Sequence, residues 1–473
     1  MRAAGLLVIA ILAASPADAQ DVTGKGLVAA ARIPSNARDS SGETLGGFGS
    51  AMALVPGSWH GAGGRFTATL AMLPDRGWNT EGTSDYQARL QFFDLSLAPI
   101  NGAPHRQAGL VLNYRKSLML TDPAGVPTTG LDASGVRPAT DGLPDLPVGA
   151  NGHVSMDSEA VAIPDTANIW VSDEYGPYIY HFGSGGKMLG AIRPPDAFIP
   201  MRQGHESFSA NSPPHGEKYN IGNPQTGRQD NQGFEGMSIT PDRKHLLAIT
   251  QSALMQDLDP GALKATRRFV RLMNYDLGGP APKLAHEYVV ALPTYNDGKR
   301  GELVAAQSEM LALNDRHILL LCRDSGGGYA GKRDASSFRK VMMVDLGNAS
   351  DVAGKYDGAG DAVAPMGVLR PEIVAAKPQA FLDMNDNAQL SRFGLHNGPP
   401  NDANDLYEKW ESMALASAND PEAPDDYFLI IGSDNDFITQ DGAMAGKPYA
   451  DASGANVDTL VLVYRVSLPA IHQ

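Results

Sequence analysis

Apolar residues in this chain collect in short runs of roughly four to eight, separated by Gly, Pro, Asn and Asp rather than spaced at helical intervals. Five of these runs open on related phrases. They are Gly47-Phe48-Gly49-Ser50-Ala51-Met52-Ala53, Asp157-Ser158-Glu159-Ala160-Val161-Ala162, Phe234-Glu235-Gly236-Met237-Ser238-Ile239, Ser308-Glu309-Met310-Leu311-Ala312-Leu313 and Trp410-Glu411-Ser412-Met413-Ala414-Leu415. Four of the five put a glutamate before a short apolar strand. A second apolar run follows each phrase, and further strand candidates come after it. The pattern predicts strands over 48–54, 66–72 and 88–95 in the first copy, and over 161–163, 169–171, 178–182 and 188–192 in the second. The third copy predicts 237–239, 246–249, 269–275 and 286–292, the fourth 311–313, 318–321 and 340–345, and the fifth 413–415, 427–431 and 459–466.

Repeated units of about four strands joined by tight turns predict an all-β fold, a β-propeller. The copies start about 75 to 110 residues apart, beyond the roughly 40–50 of compact blades. Six blades with long inserted loops are therefore expected, the loops lying at 120–152, 200–232 and 350–405. A strand over 26–31 is expected to complete the last blade and join the two ends of the chain. Two stacked β domains split near 140–155 are the alternative, less favoured because the same phrase occurs on both sides of that point.

The 52 glycines and 33 prolines fit strands and turns better than helices. With 38 basic against 53 acidic residues the net charge is -15, and no basic block suited to a phosphate backbone occurs, so nucleic acid is not an expected partner. Met1-Arg2, an apolar stretch to Ala14 and Ala17-Asp18-Ala19 read as a signal peptide over 1–19, cleaved after Ala19 and leaving one β-propeller domain over 20–473. No later segment has the length and apolarity of a transmembrane helix. A periplasmic or secreted protein follows. Cys322 is the only cysteine and lies in an apolar strand, so it reads as an inert buried thiol.

Candidate chemistry is carried by the carboxylates Asp157, Glu159, Asp173, Glu174, Glu235, Glu309, Glu411, Asp434 and Asp436. If the copies are arranged radially, the repeated glutamates converge on one axis. Hard cations such as calcium take six to eight oxygen ligands, and carboxylates held close need a cation or a proton to compensate them. Arg76 and Arg323 follow strands and offer forks for an anionic group, although Asp75-Arg76 and Arg323-Asp324 read equally as ion pairs. Gly326 to Arg333 is one residue short of a nucleotide-binding loop and reads as a hairpin loop. Serine-esterase and zinc-protease signatures are missing, and Asp383-Met384-Asn385-Asp386-Asn387 lacks the Gly and Glu of a calcium loop.

The phrases Pro74-Asp75-Arg76-Gly77, Asp157-Ser158-Glu159-Ala160 with Ser172-Asp173-Glu174-Tyr175-Gly176, Gly233-Phe234-Glu235-Gly236-Met237 with Thr250-Gln251-Ser252, and Ser433-Asp434-Asn435-Asp436 resemble the phytase-like family of exported bacterial proteins. That family is often described by an esterase-like activity of phytase. The resemblance covers roughly 45–468 and implies a β-propeller. True β-propeller phytases hold several calcium ions in an acidic channel. Their Asp-Ala-x-Asp-Asp-Pro-Ala and Asn-Asn-x-Asp-x-Arg phrases are missing here, so what carries over is a carboxylate-rich face rather than phytate as substrate.

The expectation is a secreted, metal-dependent ester hydrolase acting on phosphoesters, with calcium or a similar divalent cation. Glu159, Glu174, Glu235, Glu309, Glu411 and Asp434 are the expected metal ligands. Asp75 or Asp173 is the expected base, while Arg76 and Arg323 orient a small anionic or ester substrate. The alternatives are a metal-dependent lactonase or carboxylesterase, and a non-catalytic binding propeller stiffened by calcium.

Overall fold

A computed structural model describes residues 23–102 and 109–469. The expected signal peptide and its cleavage point lie outside the described residues. Five antiparallel sheets are arranged as the blades of a propeller. Blade 1 is Ala51–Leu54, Arg65–Leu73, Arg89–Leu97 and Leu110–Met119, with a short extra strand, His60–Ala62, beside its second. Blade 2 is Ser158–Ala162, Asn168–Asp173, Ile179–Gly183 and Met188–Ile192. Blade 3 is Phe234–Ile239, His245–Thr250, Phe269–Asp276 and Lys283–Ala291. Blade 4 is Ala306–Ala312, His317–Arg323, Arg339–Asp345 and Gln379–Asp383. Blade 5 is Trp410–Ser417, Asp426–Ser433 and Thr459–Ser467, completed by Thr23–Ile33 from the start of the described chain.

The first strands of neighbouring blades pack side by side, with blade 5 returning onto blade 1. Each blade buries both faces, which is why its strands read as nearly continuous apolar runs. Leu73 and Leu90 of blade 1 meet Val171 and Tyr180 of blade 2. Trp170 and Ile179 then meet Leu246 and Met273 of blade 3, and Leu247 and Leu272 meet Leu320 and Met342 of blade 4. Leu319 and Val341 meet Trp410 and Leu429 of blade 5, while Ile430 and Val463 return to Leu70 and Phe93 of blade 1. Burying such side chains contributes roughly 1.5–3 kcal/mol each.

The sixth blade expected from the spacing does not occur among the described residues. The extra chain forms connections instead, including the two-stranded hairpin Gly135–Arg137 with Leu146–Val148 and the small pair Met201–Arg202 with His205–Glu206. Two blade strands went unassigned in the sequence for one reason: both are outermost. In Leu110–Met119 the half-exposed Val111, Arg115 and Lys116 interrupt the apolar signal, and Gln379–Asp383 buries only Leu382.

Along the axis the two ends differ. At the carboxyl ends of the first strands lies an apolar cavity of about 440 Å³, lined by Met52, Val161, Met237, Leu311 and Met413 among others. At their amino ends lies a smaller polar cavity of about 130 Å³. Asn231, in the connection between blades 2 and 3, helps to wall this second end.

Candidate functional site

The acidic end is built by a repeated irregularity. In every blade one residue at the start of the first strand is left out of the ladder: Ser50, Glu159, Glu235, Ser308 and Glu411. A bulge of this kind re-aims the extra side chain. The partner residues across from the bulges are Leu73, Ser172, Ile249, Leu321 and Gly432. Two positions further along each second strand, on the same face by the period of two, stand Asp75, Glu174, Gln251, Arg323 and Asp434. The site is therefore two tiers of side chains, one from the bulges and one from the strand ends.

The cavity is lined by the carboxylates Asp75, Asp157, Glu159, Glu174, Glu235 and Glu411, the cations Arg76, Arg323 and Lys409, and the amides Asn79, Asn231 and Gln251. Six carboxylates thus face three cations. Every cation is already engaged. Arg323 bonds Glu411, and Arg76 Nη1 lies 2.8 Å from Asp157 Oδ2 without hydrogen-bond alignment. Lys409 Nζ donates to Asp434 Oδ2 and Asp436 Oδ1 at 2.7 Å each and lies 3.4 Å from Glu411 Oε2 and 3.7 Å from Asp75 Oδ2. Burial alone would depress the Lys409 ammonium, but Asp434, Asp436, Glu411 and Asp75 outweigh it and raise its pKa well above the ordinary value.

The carboxylates respond to the same surroundings in the opposite sense. Burial, with added repulsion from Asp157, pushes Glu174 up to about 8. Burial raises Asp75 to about 7 against the opposing pull of Lys409. Glu159 and Glu235 are raised well above the usual range by burial and by each other's side of the ring: Glu235 and Asp157 act on Glu159, and Glu174 and Glu411 on Glu235. Several carboxylate oxygens in this buried wall have no hydrogen-bond partner, among them Asp157 Oδ1, Glu174 Oε2 and Glu235 Oε2. Two triads have ligand atoms within 4.8 Å of one another: Asp75, Asp434 and Asp436, and Asp157, Glu159 and Glu174.

Of the residues expected from the sequence, Asp75, Arg76, Glu159, Glu174, Glu235, Arg323 and Glu411 come together in this cavity. Asp434 stands behind it, bonded to Lys409 and accepting from Ser50 Oγ at 3.2 Å. Glu309 does not join them. In blade 4 the bulge falls on Ser308, so Glu309 pairs opposite Leu321 and turns toward the apolar cavity, where its Oε1 accepts from Met310 N at 2.7 Å. Asp173 is also turned away, one position before Glu174. Its oxygens accept from Asp157 N at 2.6 Å and Gly176 N at 3.0 Å, which fixes the turn that presents Asp157 and Glu174. Lys409 escaped the sequence reading altogether, though it stands immediately before the Trp410-Glu411 phrase. A cation beside a phrase selected for its carboxylates was the available signal.

The chain matches the phytase-like family, described as esterase-like activity of phytase, over residues 62–437. It is 41% identical over 451 residues to an uncharacterized secreted protein of Arthroderma benhamiae, covering 88% of each chain. That relative is fungal, so the expected restriction to bacteria has no support. Among solved structures, a hydrazine synthase of Kuenenia stuttgartiensis aligns at TM-score 0.28 and 11% identity, over 83% of this chain and 78% of that one. A putative glycosidase of Bacteroides thetaiotaomicron aligns at TM-score 0.31 and 8% identity, over 95% and 97%. Likenesses this distant carry no functional argument.

Proposed function

The chain belongs to the phytase-like family (esterase-like activity of phytase), and from that premise we propose that its acidic end is the active site of a cation-dependent ester hydrolase. The observation that carries this reading is the set of buried carboxylate oxygens, on Asp157, Glu174 and Glu235, that face a small cavity without hydrogen-bond partners. Carboxylates so placed are costly unless a cation or proton compensates them. Oxygen-only donors suit a hard divalent ion such as calcium. Asp157, Glu159 and Glu174 would hold it, with Glu235 beside them. When bound, such an ion lowers the pKa of water and offsets the negative charge that develops in ester cleavage.

The chain's own groups supply the rest. Asp75 is held by Gly77 N at 3.1 Å and Asn79 Nδ2 at 2.8 Å, and its pKa near 7 suits a carboxylate that takes up a proton at neutral pH. Asn79, Asn231 and Gln251 offer uncharged donors to an ester oxygen. Arg323 is bonded to Glu411 and Arg76 lies at ion-pair distance from Asp157, so the charge of each is already offset within a wall of six carboxylates and three cations. That favours uncharged substrates, carboxylic esters and lactones, ahead of the phosphoesters expected from the sequence. Export from the cell belongs to the same reading, supported by the signal-like start of the chain and by the relative described as secreted.

Hydrolysis assays on phosphomonoester, phosphodiester, carboxylester and lactone panels, with and without chelator, test the proposal. Chelator-sensitive turnover of carboxylesters or lactones, lost in Glu174→Gln and Glu235→Gln, is the expected result. Turnover unchanged by chelator and by both substitutions would overturn it. Failure of the whole panel, with chelation lowering the melting temperature, would favour a calcium-stiffened binding propeller.

A further inference from the structure

The acidic end contains two carboxylate triads, and they are not equivalent. Asp75, Asp434 and Asp436 converge on the Lys409 ammonium, which touches Asp434 and Asp436 at hydrogen-bond distance and has Glu411 and Asp75 within 3.7 Å. Lys409 leaves the backbone just before the first strand of blade 5, and Asp434 N donates to Lys409 O at 2.9 Å, so the two segments are locked together. The ammonium is a compact point charge whose three protons point to oxygens in several directions, much as a small metal ion draws oxygens around itself. The other triad, Asp157, Glu159 and Glu174, contains no such charge. Arg76 reaches one oxygen of Asp157, while Asp157 Oδ1 and Glu174 Oε2, on residues 1% and 0% exposed, stay without hydrogen-bond partners.

We infer that Lys409 is a built-in cation that fills one of two cation positions, so that the acidic end takes a single divalent ion, at Asp157, Glu159 and Glu174. The charge balance supports this division. A cation in the Asp75 triad would meet the ammonium head-on, since Lys409 already has its nitrogen among the same oxygens. In the second triad the one cation in contact among the described residues is Arg76, 2.8 Å from Asp157 Oδ2, and it leaves Asp157 Oδ1 and Glu174 Oε2 unpartnered. Removing the ammonium while keeping the length of the side chain should therefore create a second ion site from Asp75, Asp434 and Asp436. The inference rests on the cation-binding part of the proposed function and is independent of which ester, if any, is cleaved.

Calcium titration of the full chain, read by calorimetry and by metal content after gel filtration, tests it. Wild-type protein is expected to bind one Ca²⁺, Lys409→Met two, and Lys409→Arg one. Asp434→Asn should leave the wild-type count at one, because Asp434 is not a ligand, whereas Asp157→Asn should abolish it. Two ions in wild-type protein, none in wild-type protein, or a single ion in a folded Lys409→Met would each overturn the inference. Should Lys409→Met fail to fold, Asp434→Asn still decides, since loss of the ion there places Asp434 in the site. Correct ion counts with no hydrolysis of any ester would defeat the proposed activity alone, and chelator-sensitive hydrolysis with wrong counts would defeat this inference alone.

Discussion

Glu174 and Asp173 are neighbours in sequence with opposite tasks, and each can be tested by itself. The folded state holds Glu174 at about 8 against an ordinary 4.5, and Asp75 at about 7 against 3.8. For carboxyls raised in this way folding favours the protonated form. Their contribution to stability is complete below the ordinary values and is lost as pH rises through about 7 to 8. Metal-free protein should therefore melt progressively lower between about pH 5 and pH 9, and Ca²⁺ should flatten that slope by stabilising the ionised carboxylates. Metal-free Glu174→Gln, having no proton to lose, should be the more stable protein at about pH 9, by on the order of a few kcal/mol. A slope unaffected by both Ca²⁺ and the substitution would contradict the assignment. Asp173→Ala should behave differently: it leaves two backbone N–H groups without their acceptor and should lower stability by about 1–3 kcal/mol at about pH 5, a loss that shrinks as pH rises because burial raises the Asp173 carboxyl too. Thermal unfolding at about pH 5, where Glu174→Gln costs little, separates the two cases.

Each site residue is aimed by the strand pair that carries it, and one unpaired residue decides the direction. The glutamates of the repeated phrase were legible as a set, yet sequence alignment of the phrases puts Glu309 in register with Glu159, Glu235 and Glu411. Pairing does not. A bulge at Ser308 rather than at Glu309 shifts the side chain by one position, and one position in a strand is the opposite face. The joint between blades 1 and 5 is equally local. A Cβ added to Gly49 would lie 2.0 Å from Ser433 O and 2.5 Å from Asp434 N, both backbone atoms that cannot swing aside. Gly49→Ala should consequently cost about 3 kcal/mol, measured by denaturant unfolding. A fully stable Gly49→Ala would show that the two blades have more room than this contact implies.

On the scale of the whole molecule, the ring is closed by its earliest described strand. Thr23–Ile33 pairs along the length of Thr459–Ser467 and buries Leu27, Val28 and Ile33, with Lys25 bonded to Asp426 at 2.6 Å. Deleting residues 23–33 should remove on the order of 5 kcal/mol from apolar burial alone and expose the edge of Thr459–Ser467. Circular dichroism on heating should show a large fall in the melting temperature, or the truncated protein should aggregate through that edge. Unchanged melting would mean that blade 5 closes without it.

The sequence by itself determined the strand content, the five-fold phrase and the stock of carboxylates from which the acidic end is made. These are local properties: apolar runs specify buried strands, and a repeated phrase specifies repeated units. Only the tertiary structure decided that five blades rather than six close the ring, that Glu309 and Asp173 turn away from the cavity, and that Lys409 sits among Asp75, Glu411, Asp434 and Asp436. Ring closure depends on how much each pair of blades rotates about the axis, a sum of long-range contacts that spacing along the chain does not encode. Charge partnership likewise depends on which strand ends meet in space, and the residues around Lys409 come from blades that open and close the chain.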